Sequence, residues 1–229
     1  MATHNPKPAE IPLAEMTLDE LRPHLVEAML PHVPFDGWSR KAAEAALADL
    51  GLKPALAGIA FPGGPFQMVE AYTALADARM AAALDTPEFR ALKVRQKITT
   101  AIRTRLEQAA SHREAVRRAT TLMALPLNAP RALKLGWRTA DAIWRAAGDT
   151  STDFNHYSKR TLAAAVYSST LFVWLNDDSA DFAETWAFLD RRIGNVMEIE
   201  KAKARFLKPA DGERLSPARF LGRLRYPVS

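Results

Sequence analysis

Gly51-Leu52-Lys53-Pro54-Ala55-Leu56-Ala57-Gly58-Ile59-Ala60-Phe61-Pro62-Gly63-Gly64-Pro65 holds a tight turn, a short helix and a second break. Gly51 stops the segment before it. Pro54 and the small apolar residues after it start a helix too short to be stable without neighbours. Phe61-Pro62-Gly63-Gly64 interrupts the chain again, and Pro65 suits the first turn of whatever helix follows. Helix, turn, short helix and long helix in this order have the lengths of a helix-turn-helix module.

Working outward, the flanks read as helix too. Upstream, Thr17 with Glu20 three residues on forms a capping box, and the helix it starts runs through Pro23 to about Leu30. Pro34-Phe35-Asp36-Gly37-Trp38 is a turn, and Ser39 caps Arg40 to Leu50. Downstream, a long helix spans Pro65 to Leu84, and Thr86-Pro87 caps a basic helix from Glu88 to about Ala110. Arg113 to about Leu125 follows, then a helix from Asn128-Ala129-Pro130 to Gly148. Thr152-Asp153 caps the apolar helix Phe154 to Leu175, and Ser179 opens the last long one, to about Lys208. Pro209 to Leu215 is a linker, and Ser216-Pro217 starts a final short helix ended by Pro227. Apolar residues recur at spacings of three and four, and strand-like alternation is missing. The predicted class is all-α. Residues 1–16 read as a flexible N-terminus, 17–64 as the helix-turn-helix-like module, 65–208 as a larger helical body, and 209–229 as linker and amphipathic helix.

A chain of 229 residues, 48% hydrophobic and 25% charged, lies in the ordinary globular range. It contains no cysteine, which removes disulfides, thiolate nucleophiles and cysteine-built metal sites. Met1 to Met16 contain Glu10 and Glu15 and lack the apolar core of a secretory signal. The run Thr161 to Leu175, broken by Tyr167, Ser168 and Ser169, is shorter than the roughly 20 residues of a spanning helix. The expected protein is soluble.

The net charge of +5 is unevenly laid out. Residues 1–88 carry 6 basic and 12 acidic groups, 89–118 carry 9 and 2, 119–204 carry 10 and 10, and 205–229 carry 6 and 2. The position of charge decides which surface meets an anion. Phe61-Pro62-Gly63-Gly64-Pro65 resembles the step into the fourth helix of TetR-type regulators, which implies a small N-terminal module on a helical ligand-binding body. Binding of a duplex, however, needs cations and base-reading donors on the recognition helix. Here that helix is Pro54 to Ala60 without such a donor, and residues 17–85 hold 5 basic and 9 acidic groups. No nucleic-acid partner is expected, and a ligand-responsive regulator is the alternative reading.

A second stretch is denser in polar chemistry: Gly148-Asp149-Thr150-Ser151-Thr152-Asp153-Phe154-Asn155-His156-Tyr157-Ser158-Lys159-Arg160. Helix ends account for about half of it. Phe154, His156, Tyr157 and Arg160 remain, and they form either a partner-binding patch or the closed end of the bundle. This stretch, together with Tyr167-Ser168-Ser169-Thr170, Asp181 to Ile193, Phe35-Asp36-Gly37-Trp38-Ser39 and Phe61-Pro62-Gly63-Gly64, resembles the Coq-nine family of ubiquinone-biosynthesis accessory proteins. The similarity covers roughly Thr17 to Lys208. One departure is His156, where the family usually has Trp.

The resemblance implies a TetR-like fold without a regulatory role, a homodimer, and a cavity for an isoprenoid lipid or quinone intermediate. It also implies a di-iron demethoxyubiquinone hydroxylase as partner, to which the bound lipid is presented. Trp144, Asp153, Phe154, His156, Tyr157 and Arg160 are then the candidate partner-binding residues. The candidate lipid-binding residues are Met80, Leu84, Leu122, Met123, Leu125, Ile143, Phe172 and Trp174. Phe182, Trp186, Leu189, Ile193 and Val196 repeat at spacings of four and three, a helix-pair seam expected at the dimer interface. In the tail, Phe220, Leu221 and Leu224 share one face flanked by Arg219, Arg223 and Arg225, a short amphipathic helix suited to a membrane surface. The basic helix, with Arg90, Lys93, Arg95, Lys97, Arg103 and Arg105, reads mostly as a solvated face.

The five histidines are dispersed, and neither a metal-ligand spacing nor a phosphate loop occurs. No cofactor and no catalysis are expected. The expected location is cytoplasmic, peripheral on the cytoplasmic face of a membrane.

Overall fold

The structure is a computed structural model, and it describes residues 12–150 and 154–207. After a single 3-10 turn at Leu13–Glu15, the chain forms α1 (Leu18–Met29), α2 (Val33–Asp36), α3 (Arg40–Asp49) and α4 (Leu56–Ala60). The body follows as α5 (Gly64–Ala83), α6 (Pro87–Ala91), α7 (Val94–Gln108), α8 (Arg113–Met123), α9 (Ala129–Ala146), α10 (Phe154–Leu175) and α11 (Ala183–Leu207). Among the described residues there is no strand. The Asp153 cap and everything expected beyond Leu207, including the membrane-contacting residues 219–225, lie outside the described residues.

The caps behave as the residue types require. Glu20 N–H donates to Thr17 Oγ1 while Thr17 N–H donates to Glu20 Oε2, so two otherwise orphaned donors are satisfied at the start of α1. Ser39 and Thr86 cap α3 and α6 more simply, each accepting one backbone N–H, from Ala42 and Phe89. Around them sits one continuous core. Leu25, Val26 and Met29 of α1, Ala42, Ala43, Ala46 and Leu47 of α3, and Met68, Val69 and Met80 of α5 join Ile102 and Leu106 of α7 and Trp174 of α10. The N-terminal module therefore shares its interior with the body. Trp38 Nε1 donates to the Ala115 carbonyl at 2.9 Å, and Arg118 donates to the Pro34 carbonyl at 2.7 Å, tying α2 and the loop after it to α8.

Three local readings differ from the structure. Residues expected as a plain turn include the one-turn helix α2, which Gly37 ends at φ +69°, a conformation open to residues lacking a Cβ. The single basic helix expected from Glu88 to Ala110 is two, because Leu92 and Lys93 are extended. No glycine or proline marks that break. It lets Phe89 plug the core while α7 turns Ile98, Ala101, Ile102, Arg105 and Leu106 inward.

The last helix starts at Ala183, not Ser179. Asp181 and Phe182 before it sit at φ +51° and +56°, unfavourable for side chains with a Cβ. Asp177 holds this corner: its carboxylate accepts from the Ser179 N–H and hydroxyl and from the Thr185 N–H and hydroxyl at 2.6–2.8 Å. Burial opposes that charge, but the four hydrogen bonds outweigh it and keep the Asp177 carboxyl well below the usual range.

Candidate ligand-binding site

Helix α9 packs against α5, α7, α8 and α10, and α10 also against α7, yet α9 and α10 do not close the space between them. Small residues are the reason. Ala129, Ala132 and Gly136 share one stripe of α9, and Ala164, Ala165 and Ser168 line the facing side of α10. Where larger side chains would interdigitate, these leave a cavity of about 800 Å³ with a predominantly apolar wall. Val116, Ala119 and Met123 of α8 supply one side, and Leu133, Trp137, Leu171 and Phe172 continue it toward solvent.

One wall of the cavity is polar and fully engaged. Arg105, only 6% exposed, donates through Nε to Asp77 Oδ1 at 2.7 Å and through Nη1 to the Tyr167 hydroxyl. Thr139 donates to the other Asp77 oxygen at 3.1 Å. Asp77 thus bonds side chains of α7 and α9, and Arg105 reaches α10. Nearby, the Tyr72 hydroxyl and His112 Nε2 lie 3.0 Å apart. Burial raises the Tyr167 and Tyr72 hydroxyls above the ordinary phenol range, against the pull of Arg105, so both stay neutral. A neutral ion pair locked by hydroxyls gives the cavity a wall without net charge.

The expected lining residues separate into three groups. Met123 and Phe172 line the cavity. Leu122 and Leu125 instead line a smaller depression, about 400 Å³, beside Trp38 and Arg118. Met80, Leu84, Ile143 and Trp174 are buried in the core, which corrects the reading of them as cavity wall. Large apolar residues fill space, so they mark core more readily than cavity. The stripes of small residues on α9 and α10 were the available signal.

Part of the stripe read as a dimer seam is taken up inside the chain. Leu189 and Ile193 are buried within the chain, and Phe182, Trp186 and Val196 pack half-buried against the same core. The Arg103 guanidinium of α7 lies over Trp186, 4.8 Å from the ring centroid. This face of α11 is covered by α7 and α10 of its own chain.

At the other end of the cavity wall, Trp137 packs 6.4 Å from the His156 ring and 6.0 Å from the Tyr157 ring. Tyr157 is 60% exposed, so of the expected partner-binding residues whose side chains are described it is the one most open to solvent. Arg160 is buried instead. It donates to Asp141 at 2.6 Å and to Asp149 at 3.1 Å and so fastens the first turns of α10 to the end of α9. Trp144 has the same kind of role: its Nε1 donates to the Lys159 carbonyl at 3.0 Å and the Lys159 ammonium sits over its ring. Both hold the patch from behind rather than presenting a surface. Asp153 and the side chain of Phe154 lie outside the described residues.

These features define a class. The chain has the fold of TetR-type regulators: a solved TetR transcriptional regulator from Nitrosomonas europaea ATCC 19718 superposes with a TM-score of 0.61 over 77% of this chain and 97% of its own, at 20% identity. Within that fold, the family model COQ9 matches residues 129–200, the segment that contains α9, α10 and most of α11. The chain is 31% identical over 188 residues to the ubiquinone biosynthesis protein COQ9, mitochondrial, of Rattus norvegicus, and 31% identical over 188 residues to that of Homo sapiens. It is 32% identical over 189 residues to the COQ9 of Xenopus tropicalis. Each alignment covers 79% of this chain, which spans about 60% of the length of these curated relatives. The chain is thus similar to the COQ9 proteins, in line with the family resemblance read from its sequence.

Proposed function

We propose that this chain serves ubiquinone biosynthesis as a non-catalytic accessory protein that binds a polyprenylated aromatic intermediate and presents it to a di-iron hydroxylase. The observation that carries the reading is the apolar cavity of about 800 Å³ between α5, α7, α8, α9 and α10. A prenyl tail offers apolar area and no polar groups. Each five-carbon unit gains about 4 kcal/mol on full burial before ordering costs. The uncharged polar wall around Arg105 and Asp77 favours a neutral ligand over an anionic one, since a charge placed there would lack a counter-charge. The similarity to COQ9 proteins supports the pathway.

Tyr157, exposed beside Trp137 of the cavity wall, is the proposed contact to the hydroxylase, with His156 and Trp137 behind it. A homodimer belongs to this reading, with an interface away from the internally packed stripe of α11. Association with the membrane is peripheral in this reading, on its cytoplasmic face. Among the described residues no helix is long and apolar enough to cross a bilayer. The charge pattern weighs against the regulator alternative: α4 presents Leu56-Ala57-Gly58-Ile59-Ala60, without a base-reading side chain.

Mass spectrometry of lipid extracted from the purified full chain tests the proposal. An isoprenoid quinone precursor in stoichiometric amount is expected. An empty protein, or bulk phospholipid alone, would overturn it.

A further inference from the structure

The cavity opens onto a surface that nothing in its architecture needs to be apolar. Leu127 stands in the single-turn link Pro126–Asn128, between Ala124 and Ala129, which both line the cavity. Its side chain is 95% exposed. On the first turns of α9, Leu133 is 77% exposed although it borders the cavity, and Phe172 of α10 is 55% exposed on the opposite rim. Leucines this exposed gain nothing from the fold and cost solubility. They stand as separate protrusions around an opening.

The unpaired charges beside them on α9 have one sign. Lys134 and Arg138 lie one turn apart on α9, next to Leu133 and Trp137, and are exposed with no ion pair among the described residues. Arg131 completes the stripe at positions i, i+3 and i+7. The acidic group facing it is Glu70, which Arg131 itself engages at 3.1 Å. Protruding apolar groups beside the two free cations Lys134 and Arg138 fit the boundary of an anionic bilayer, where apolar side chains enter the acyl region and cations stay at headgroup level.

We infer that the rim formed by Leu127, Leu133, Phe172, Lys134 and Arg138 docks the cavity mouth on an anionic membrane. The inference rests on the proposed lipid-binding reading and deepens it: a tail would pass from acyl region to cavity without crossing water, avoiding the hydration of its apolar surface. Its residues are other than those of the C-terminal stretch around Phe220, which lies outside the described residues.

Vesicle partitioning of the full chain tests the assignment, using phosphatidylcholine alone and an equimolar mixture of phosphatidylcholine and phosphatidylglycerol. The double variant Leu127→Asp with Leu133→Asp changes only exposed positions, and circular dichroism verifies its fold. It is expected to lose at least tenfold in partitioning on the mixed vesicles. Lys134→Ala and Arg138→Ala are each expected to lose about fivefold on the anionic vesicles and nothing on the zwitterionic ones.

Wild-type partitioning by the leucine variant overturns the inference. If Phe220→Asp with Leu224→Asp abolishes binding at the same time, the peripheral reading stands without this rim. If the wild-type chain binds neither vesicle, the membrane reading falls with it. A leucine variant that turns a dimer into a monomer in the absence of vesicles overturns the bilayer assignment in favour of a second copy of the chain. Retention of the co-purified isoprenoid by a variant that no longer binds vesicles separates docking from cavity binding.

Discussion

Gly136 offers a substitution whose two effects have opposite signs. It lies in the interior of α9, lines the cavity, and a Cβ built on it meets nothing within 4 Å. Its backbone is helical, so a side chain imposes no conformational strain. Replacing a mid-helix glycine by Ala or Leu stabilises a helix by about 1 kcal/mol, because the unfolded chain loses freedom. For a chain of this size that raises Tm by roughly 2–4 °C. Gly136→Ala adds one methyl group and leaves most of the cavity.

Gly136→Leu adds four carbons to the same free space. A bound tail then surrenders about four carbons of burial, roughly 3 kcal/mol at about 0.8 kcal/mol per carbon. At 1.4 kcal/mol per decade this is a loss of more than roughly a hundredfold in affinity. The assay combines thermal unfolding with quantification of co-purified lipid for wild type, Gly136→Ala and Gly136→Leu. The expected result is that both variants are more stable and that only Gly136→Leu is emptied. A stabilised Gly136→Leu that carries the wild-type amount of lipid would show that the ligand does not occupy this cavity.

Two further outcomes follow from the polar groups around the site. Asp77→Ala leaves the Arg105 guanidinium buried without its counter-charge and is expected to cost about 3–5 kcal/mol in denaturant unfolding. Adding Arg105→Met to that variant is expected to recover most of the loss, and no recovery would mean that the pair is not energetically coupled. Tyr157→Lys, at an exposed position, is expected to leave the unfolding free energy within about 0.5 kcal/mol of wild type. It is also expected to weaken hydroxylase capture by the immobilised chain, and undiminished capture would remove Tyr157 from the proposed contact.

Much of this molecule was legible in the order of its residues, because the signals concerned are local. Thr17 with Glu20, Ser39 and Thr86-Pro87 each place a helix start through side chains that reach only the next turn. The span Phe154–Leu175 and the end of α9 before Gly148 are local in the same sense. The all-α class, the TetR-like arrangement and the Coq-nine resemblance rest on such features.

Tertiary packing alone decided three other matters. The chain breaks at Leu92-Lys93 with no local breaker, since Phe89 and the apolar face of α7 must reach the core from different directions. Trp174, Ile143 and the Leu189–Ile193 stripe are core rather than cavity or interface, a distinction that depends on which neighbours arrive. The cavity itself arises where two helices present small residues to each other while the surrounding helices hold them apart. A periodic pattern states that a face is apolar. Whether that face meets a side chain, a void or solvent depends on the other side of the contact, and that is supplied by residues distant in the chain.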